Sequence, residues 1–177
     1  MKDKLLVDMD DVIADLCTSW FSNWELISGE KLNPQIITEW DVSTYSKYGD
    51  KVYDVFKQPG FFENLPVVEG SKDALEYLRR KYDIIIVTTP PLTAPSPLKE
   101  KNVWLDKHFP WIKYRVFTAN KELVYGDVAI DDSPSKLKAY HKAQPDMMTI
   151  CYDRPHNKNA LADYRVKNWN QVLDILI

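Results

Sequence analysis

Short, continuous apolar runs recur along the chain and are separated by segments with helical periodicity. Four of the runs are strong, and one, at 114–117, is weaker. Runs that do not alternate with polar residues are typical of strands buried on both faces of a parallel sheet. The pattern therefore predicts strands at 5–7, 84–87, 114–117, 128–130 and 147–151.

Between these runs, apolar residues recur at the spacing of one helix face. They predict helices at 73–81, 98–108, 133–142 and 170–177. Ser133 is a typical N-cap residue, and Pro134 suits the first turn of the helix that follows. Strands that alternate with helices predict an α/β fold built on a doubly wound parallel sheet.

One long interval interrupts this alternation. Residues 8–83 separate the first two predicted strands, whereas a crossover needs only about a dozen residues. The excess is rich in aromatic residues and has helical periodicity at 17–27 and 44–57. We therefore predict a core formed by 1–15 and 70–177, with a small helical cap inserted at 16–69.

Composition restricts the partners that the chain could have. It is 45% hydrophobic and 28% charged, and its net charge of -3 provides no basic surface for a nucleic-acid polymer. No apolar run approaches the ~20 residues that span a bilayer, and the N-terminus has no signal-peptide pattern. We expect a cytoplasmic protein without nucleic-acid or membrane partners, in which Cys17 and Cys151 are reduced thiols.

Polar side chains follow the predicted strands at the carboxyl end, where open parallel sheets bind ligands. These residues are Asp8, Asp10 and Asp11 after the first strand, Thr88 and Thr89 after the second, Lys121 after the third, and Asp131 and Asp132 after the fourth. Any one of them alone is an ordinary turn or cap residue. The predicted sheet would bring all of them to one edge, and this combination indicates a functional site.

A cluster of carboxylates is unfavourable unless a cation neutralises it, because like charges repel. Oxygen ligands without Cys or His favour a hard ion, and Mg²⁺ is the usual choice. Lys121 and the hydroxyl of Thr88 would then face an anionic group, most simply a phosphate. The residues together predict a site for phosphoryl transfer.

The order and spacing of these motifs resemble those of the haloacid dehalogenase (HAD) superfamily of phosphatases. Further features resemble the 5'(3')-deoxyribonucleotidases within it: the run Val7–Asp15, the Thr-Thr-Pro at 88–90, Lys101 with Trp104, and Ile130–Asp132. Two residues depart from the animal enzymes, which have Gly in place of Asp11 and Ser in place of Thr89. These differences leave the substrate preference open.

The resemblance implies hydrolysis of a nucleoside monophosphate through covalent catalysis. Asp8 would be the nucleophile that forms an aspartyl phosphate, and Asp10 would be the general acid and base. Mg²⁺ would be held by Asp8, the backbone carbonyl of Asp10, and Asp131, with Asp132 in support. The resemblance assigns the phosphate to Thr88, Thr89, Lys121 and Lys101.

Aromatic residues of the predicted cap allow two interpretations. Trp20 and Trp24 are four residues apart and share a helix face, and Phe21, Phe61 and Phe62 could join them. They would either stack on a nucleobase or form the core of the cap. In the enzymes that the chain resembles, aromatic cap residues line the base pocket.

Residues with weaker signals receive structural interpretations. Asp11 and Asp15 are predicted to cap the turn that leads into the first cap helix. The three histidines, and the loop at 152–157 that follows the last predicted strand, are interpreted as surface features. The histidines are His108, His141 and His156.

Other functions remain as alternatives. The chain could be an HAD phosphatase for a sugar phosphate or another small phosphomonoester, because the cap decides the substrate. A signalling receiver domain is a remote alternative. A receiver carries its adjacent acidic pair after the first strand and has no large aromatic insertion, whereas in this chain the adjacent pair, Asp131 and Asp132, follows the fourth strand. The base, the 5' or 3' position of the phosphate, the sugar and a homodimeric state are left open by the sequence.

Overall fold

The computed structural model describes residues 2–91 and 96–177 and contains one sheet of six parallel strands in the order β3-β2-β1-β4-β5-β6. The strands are β1 (Asp3–Val7), β2 (Tyr82–Thr88), β3 (Tyr114–Phe117), β4 (Val128–Asp131), β5 (Met148–Tyr152) and β6 (Tyr164–Val166). The predicted α/β fold with a parallel sheet is confirmed. β6 was not predicted, because it has only three residues and two of them are exposed.

In the two described ranges, five α-helices accompany the sheet. They are α1 (Leu16–Ser28), α2 (Ser71–Leu78), α3 (Ser96–His108), α4 (Pro134–Ala143) and α5 (Trp169–Leu176). The helices predicted between the strands, at 73–81, 98–108, 133–142 and 170–177, are present with small changes at their ends. Ser133 occupies the N-cap position of α4, with Pro134 in its first turn. No helix in the described part of the chain has the length and apolar character needed to cross a bilayer.

Alternate residues of the strands enter two separate hydrophobic clusters. Leu5 and Val7 of β1 lie in the larger cluster, together with residues of α2, α3 and α5. Leu6 lies between them in sequence and joins the smaller cluster, which contains Tyr140 of α4. Side chains on a strand point to opposite faces in turn, so both faces of the sheet are covered. This burial explains why the strands are continuous apolar runs.

The strand order reverses between β1 and β4. From β1 the chain continues to β2 and then β3 on one side, and it crosses back to place β4 on the other side of β1. Residues Leu5–Val7 pair with Val128–Ile130 across this junction. Ligands of open α/β sheets bind at such a switch point, beyond the carboxyl ends of the strands. The fold therefore predicts a binding site at the residues that follow β1 and β4.

The inserted segment (residues 16–69) lies between β1 and β2. It contains α1, which the sequence predicted at 17–27, and a series of short 3₁₀ helices. The helix predicted at 44–57 is instead split into 3₁₀ helices at Val42–Tyr45 and Gly49–Lys57. Trp20 connects α1 to the 3₁₀ helix at Gly49–Lys57, because its indole Nε1 donates to the carbonyl of Val52 at 2.7 Å.

Helix α3 holds the end of the inserted segment. The buried carboxylate of Glu100 accepts from the backbone N–H of Gly60 at 2.9 Å and of Phe62 at 3.1 Å. Four residues later, the indole of Trp104 donates to the carbonyl of Leu65 at 2.7 Å. These bonds satisfy backbone groups that would otherwise be buried without partners. They fix the segment on the same edge of the sheet as the residues after β1.

Candidate active site

Three carboxylates meet where β1 and β4 lie side by side. The backbone N–H of Asp8 donates to Ile130 O at 2.9 Å, which extends the pairing of the two strands by one residue. Asp8, Asp131 and Asp132 are all buried, and each offers one oxygen such that these oxygens lie within 4.8 Å of one another. Oxygen ligands without nitrogen or sulfur suit a hard divalent cation, so the donor set fits Mg²⁺.

A buried ammonium group joins two of these carboxylates. Lys121 Nζ lies 2.7 Å from Asp8 Oδ1 and 2.7 Å from Asp131 Oδ2. Burial lowers the pKa of Lys121, but Asp131 and Asp8 outweigh it and hold the pKa above its usual range. Burial also raises the pKa of Asp131 to about 7, although Lys121 opposes that rise. One ammonium does not balance three carboxylates, which favours the binding of a further cation.

The two oxygens of Asp8 differ in their surroundings. Oδ1 accepts from the backbone N–H of Met9 at 2.7 Å and contacts Lys121. Among the described residues, no hydrogen bond reaches Oδ2. Met9 is fully buried in the hydrophobic core, as expected for the residue between two site carboxylates on an extended chain. Asp8 therefore has a fixed orientation and one uncommitted oxygen, which is what a nucleophile requires.

Asp10 is partly buried and forms an ion pair with Lys101 of α3 through Oδ2. Its other oxygen, Oδ1, is buried and has no hydrogen-bond partner among the described residues. Burial raises the pKa of Asp10, Lys101 opposes this rise, and the charge of Asp8 adds to it. Asp10 therefore keeps its proton to a higher pH than an ordinary carboxyl group, as a general acid must.

The residues predicted to bind phosphate lie at the same edge of the sheet. Lys101 is fully buried and donates to Thr88 Oγ1 at 2.9 Å, so it bridges this hydroxyl and Asp10. Thr89 lines the cavity described below and donates through Oγ1 to the carbonyl of Thr118 at 2.8 Å. With Lys121, two cationic groups therefore lie close to the carboxylates, where an anion could bind.

A cavity of about 610 Å³ extends from Asp8 and Asp10 to the inserted segment. Its aromatic walls are Trp20, Phe21, Trp40, Tyr53 and Phe56. The cavity therefore joins the acidic site to an apolar surface large enough for a planar ring system.

Of the five aromatic residues proposed for the substrate pocket, the structure places Trp20 and Phe21 on the cavity wall. Trp24 is buried, and its indole donates to Glu30 at 2.8 Å. Phe61 and Phe62 are also buried and pack on each other with their ring centroids 5.1 Å apart. These three residues serve the packing of the inserted segment, which was the second of the two interpretations.

The loop after β5 was interpreted as a surface feature, but Arg154, Pro155 and His156 line the cavity. His156 Nε2 lies 3.0 Å from Asp132 Oδ2, and its ring packs edge-on against Trp40 with a centroid distance of 5.2 Å. The assignment of His156 to the surface was therefore wrong. A signal was available, because this loop follows a strand at the same sheet edge as the other site residues.

The remaining histidines and the capping residues can also be placed. His141 is exposed as expected, whereas His108 is only half-buried and packs against Trp104 at a centroid distance of 4.8 Å. The predicted capping is confirmed. Asp15 is the N-cap residue of α1, and the carboxylate of Asp11 accepts from the backbone N–H of Cys17 at 2.9 Å.

A family model supports the same conclusion from sequence comparison. The model described as "5' nucleotidase, deoxy (Pyrimidine), cytosolic type C protein" matches residues 2–177. The chain belongs to this family. The recognition of an HAD-type deoxyribonucleotidase in the sequence is thus confirmed, and so is the predicted enzyme class, a hydrolase of phosphoric monoesters.

Similar proteins match this chain over almost their whole length. A 5'(3')-deoxyribonucleotidase of Bacillus subtilis (strain 168) is 33% identical over 174 residues, which is 97% of this chain and 97% of that protein. A 5'(3')-deoxyribonucleotidase of Clostridium acetobutylicum is 34% identical over 172 residues, which is 95% of this chain and 91% of that protein. The similarity therefore includes the inserted segment as well as the sheet.

Solved structures are similar in fold at much lower identity. An HAD-type protein from Bacillus subtilis, whose structure is bound to magnesium, has a TM-score of 0.63 at 16% identity and covers 99% of this chain and 98% of its own. A 2-haloacid dehalogenase from Pseudomonas syringae has a TM-score of 0.54 at 12% identity, with coverage of 99% and 98%. These structures establish the HAD fold for the chain.

Proposed function

We propose that the protein is a Mg²⁺-dependent phosphatase that hydrolyses deoxynucleoside and nucleoside monophosphates to a nucleoside and inorganic phosphate. One observation carries this proposal: the walls of the same cavity include both the carboxylates of Asp8 and Asp10 and the aromatic rings of the inserted segment. A phosphate at the carboxylates would place an attached nucleoside toward those rings. The names of the relatives agree with this substrate class.

In the first step, the uncommitted oxygen of Asp8 attacks phosphorus and forms an aspartyl phosphate. The bond between phosphorus and the sugar oxygen breaks. Asp10 gives its proton to that oxygen, so the nucleoside leaves as an alcohol. The raised pKa of Asp10 supports this role, because the carboxyl group must carry a proton before the step begins.

In the second step, water attacks the phosphorus of the aspartyl phosphate. Asp10 is now ionised and accepts a proton from that water, and the bond between phosphorus and Asp8 breaks. Inorganic phosphate is released, and both carboxyl groups return to their starting states. The same side chain therefore acts first as an acid and then as a base, which requires that it stay at one position throughout.

Cationic groups would balance the charge of the transferring group. Lys121 and Lys101 would contact the phosphoryl oxygens, with the hydroxyls of Thr88 and Thr89 as further donors. Asp8, Asp131 and the backbone carbonyl of Asp10 would hold Mg²⁺, which would supply positive charge close to the phosphoryl group when bound. Asp132 would support this site, since its carboxylate belongs to the same cluster.

The inserted segment would act as a cap that selects the substrate. Phe21, Tyr53 and Phe56 face the cavity from this segment, and aromatic rings stack on nucleobases with little preference among them. Residues 16–69 would thus form the cap, and 1–15 with 70–177 the catalytic core. A sugar phosphate has no base to stack on these rings, so it would contact only the catalytic core.

A panel of phosphomonoesters with Mg²⁺ tests the proposal. It contains deoxynucleoside and nucleoside 5'- and 3'-monophosphates, deoxyribose 5-phosphate and ribose 5-phosphate, and phosphate release is measured for each. We expect kcat/KM to be at least tenfold higher for a nucleotide than for the matching sugar phosphate, since base stacking contributes about 1–3 kcal/mol.

Asp8→Asn is the control for the chemistry. Asn retains an oxygen that can accept from Met9 but is not a nucleophile, so turnover should fall by at least about 10⁴-fold while inorganic phosphate still binds. Near-normal turnover by this variant would exclude the covalent mechanism. A sugar phosphate that performs as well as every nucleotide would exclude the proposed substrate class.

A further inference from the structure

Asp11 has an unusual backbone conformation directly after the proposed general acid. Its φ is +55°, and among residues 2–91 and 96–177 it is the only non-glycine residue with a positive φ. This left-handed region is unfavourable for most residues with a side chain, and Asp enters it when its short carboxylate accepts local hydrogen bonds. The conformation therefore depends on the contacts around Asp11.

Contacts hold Asp11 through its side chain and its backbone. The carboxylate accepts from the backbone N–H of Cys17 at 2.9 Å and from the thiol of Cys17 at 2.8 Å. The backbone N–H of Asp11 donates to Ala14 O at 2.7 Å. These bonds attach the turn after β1 to the first helix of the inserted segment. None of these bonds uses the carbonyl of Asp11, which accepts from a residue elsewhere in the chain.

That partner is Arg154, which lies 143 residues away in the loop after β5. Its Nε donates to Asp11 O at 2.9 Å, and its second amino group donates to the same oxygen. The guanidinium also packs over the ring of Tyr152 at 4.8 Å from the centroid. Two donors from one planar group constrain the direction of an acceptor more strongly than a single ammonium could.

The loop that carries Arg154 is itself fixed. The backbone N–H of Arg154 donates to the side chain of Asn157, which is completely buried. The amide of Asn157 in turn donates to the carbonyls of Asp132 at 2.7 Å and Tyr152 at 2.9 Å. Through Asn157, the backbone of Arg154 is thus anchored to the ends of β4 and β5, and its side chain extends from there to Asp11. A rigid support of this kind is what a catalytic side chain needs from its surroundings.

We propose that Arg154 is a positioning residue for Asp10. The left-handed backbone of Asp11 sets the orientation of the preceding peptide group, which joins Asp10 to Asp11. Arg154 fixes this backbone through its two hydrogen bonds to the carbonyl of Asp11. Loss of the two-donor contact lets Asp11 relax toward ordinary φ values, which rotates the chain at Asp10 away from the leaving oxygen. This inference rests on the proposed function, in which Asp10 protonates that oxygen.

Arg154→Lys tests the proposal, because it keeps the charge and loses the two-donor geometry. Two substrates are compared by kcat/KM at saturating Mg²⁺, because the carbonyl of Asp10 is also a proposed ligand of the ion. They are a nucleoside monophosphate, whose sugar oxygen needs a proton to leave, and p-nitrophenyl phosphate, whose phenolate leaves without one. We expect the value to fall about tenfold or more for the nucleotide and to change less than about twofold for p-nitrophenyl phosphate, given the usual 10²–10⁴-fold contribution of general acids.

Arg79→Lys is the matched control. Arg79 also packs its guanidinium over an aromatic ring, that of Trp111 at 5.1 Å from the centroid, and it pairs with Glu76 on α2 rather than with Asp11 or the loop after β5. We expect it to leave the ratio of the two kcat/KM values unchanged. Arg154→Gln, assayed in the same way, provides a second variant that removes the charge, and circular dichroism verifies that each variant is folded.

An equal loss on both substrates, or a rise in KM alone, would overturn the proposal, because it would show a general structural or substrate-binding role for Arg154. Failure of the proposed function is a distinct result. In that case the unmodified protein would itself show no phosphatase activity on any substrate of the panel.

Discussion

Lys101 forms an ion pair with Asp10 from 91 residues away in the sequence. Its ammonium is completely buried and also donates to Thr88 Oγ1 at 2.9 Å. A cation at this position favours the ionised form of Asp10, whereas burial and the charge of Asp8 favour the protonated form. The pKa of the proposed general acid is thus raised by burial and limited by Lys101.

The pH profile should respond to removal of this cation. Asp10 must be protonated when the leaving group departs, so kcat/KM falls as the pH rises through its pKa. Lys101→Met removes an effect that lowers the pKa, so the alkaline limb of the kcat/KM profile should move to higher pH. Lys99→Met, an exposed lysine of the same helix, is the control. A limb that stays in place or moves to lower pH contradicts the assignment of Asp10.

Removal of Mg²⁺ should affect stability as well as activity. A ligand that binds the folded state at about 100 times its Kd stabilises it by about 2.7 kcal/mol. We expect Mg²⁺ to raise the Tm by several degrees, and a chelator to abolish phosphate release and this shift together. Asp131→Asn should reduce the shift, whereas Asp146→Asn, at an exposed position, should not. An undiminished shift in Asp131→Asn would place the ion elsewhere.

The cavity wall should determine the affinity for nucleotides. Phe21 lines the cavity, so Phe21→Leu removes aromatic stacking while keeping an apolar side chain. We expect KM for a nucleoside monophosphate to rise about five- to tenfold, a part of the 1–3 kcal/mol that stacking contributes per base. The inhibition constant of deoxyribose 5-phosphate should not change. Trp24→Phe, behind the wall, should lower stability without the change in KM, and equal effects on both ligands would argue against base stacking.

Glu100 should be important for stability because it joins α3 to the inserted segment. Each of its oxygens accepts one backbone N–H, from Gly60 or Phe62. Glu100→Gln replaces one acceptor with a donor, and hydrogen bonds to charged groups contribute about 1.5–3 kcal/mol. We expect the free energy of unfolding in urea to fall by about 2 kcal/mol. Glu76→Gln on α2 is exposed and should have an effect below about 0.5 kcal/mol. A similarly small effect at Glu100 would show that the contact is dispensable.

Most of the sheet could be predicted because its strands are buried on both faces. Continuous apolar runs identified β1, β2, β4 and β5, and the run at 114–117 identified β3 with its observed bounds. β6 could not be found in this way, since its partly exposed edge position demands few apolar residues. The helix predicted at 44–57 is split where the hydroxyl of Ser46 and the backbone N–H of Lys47 donate to Glu30, and contacts of this kind leave no periodic signal.

The sequence by itself determined which side chains gather at the edge of the sheet. In a parallel sheet every strand ends on the same side, so the residues after β1, β3 and β4 lie at one edge once those strands are recognised. Asp8, Asp10, Asp131 and Lys121 follow from this rule alone. Membership of the nucleotidase family agrees with the enzyme class that they indicated.

Only the tertiary structure decided which other groups reach the site. Trp20 lines the cavity and Trp24 does not, although both lie on one face of α1, because each ring takes its position from the residues packed around it. Arg154 and His156 come from a loop without secondary structure periodicity and contact residues more than 20 positions away. Contacts between distant parts of a chain depend on the packing of whole elements, which local patterns of hydrophobic and polar residues do not specify.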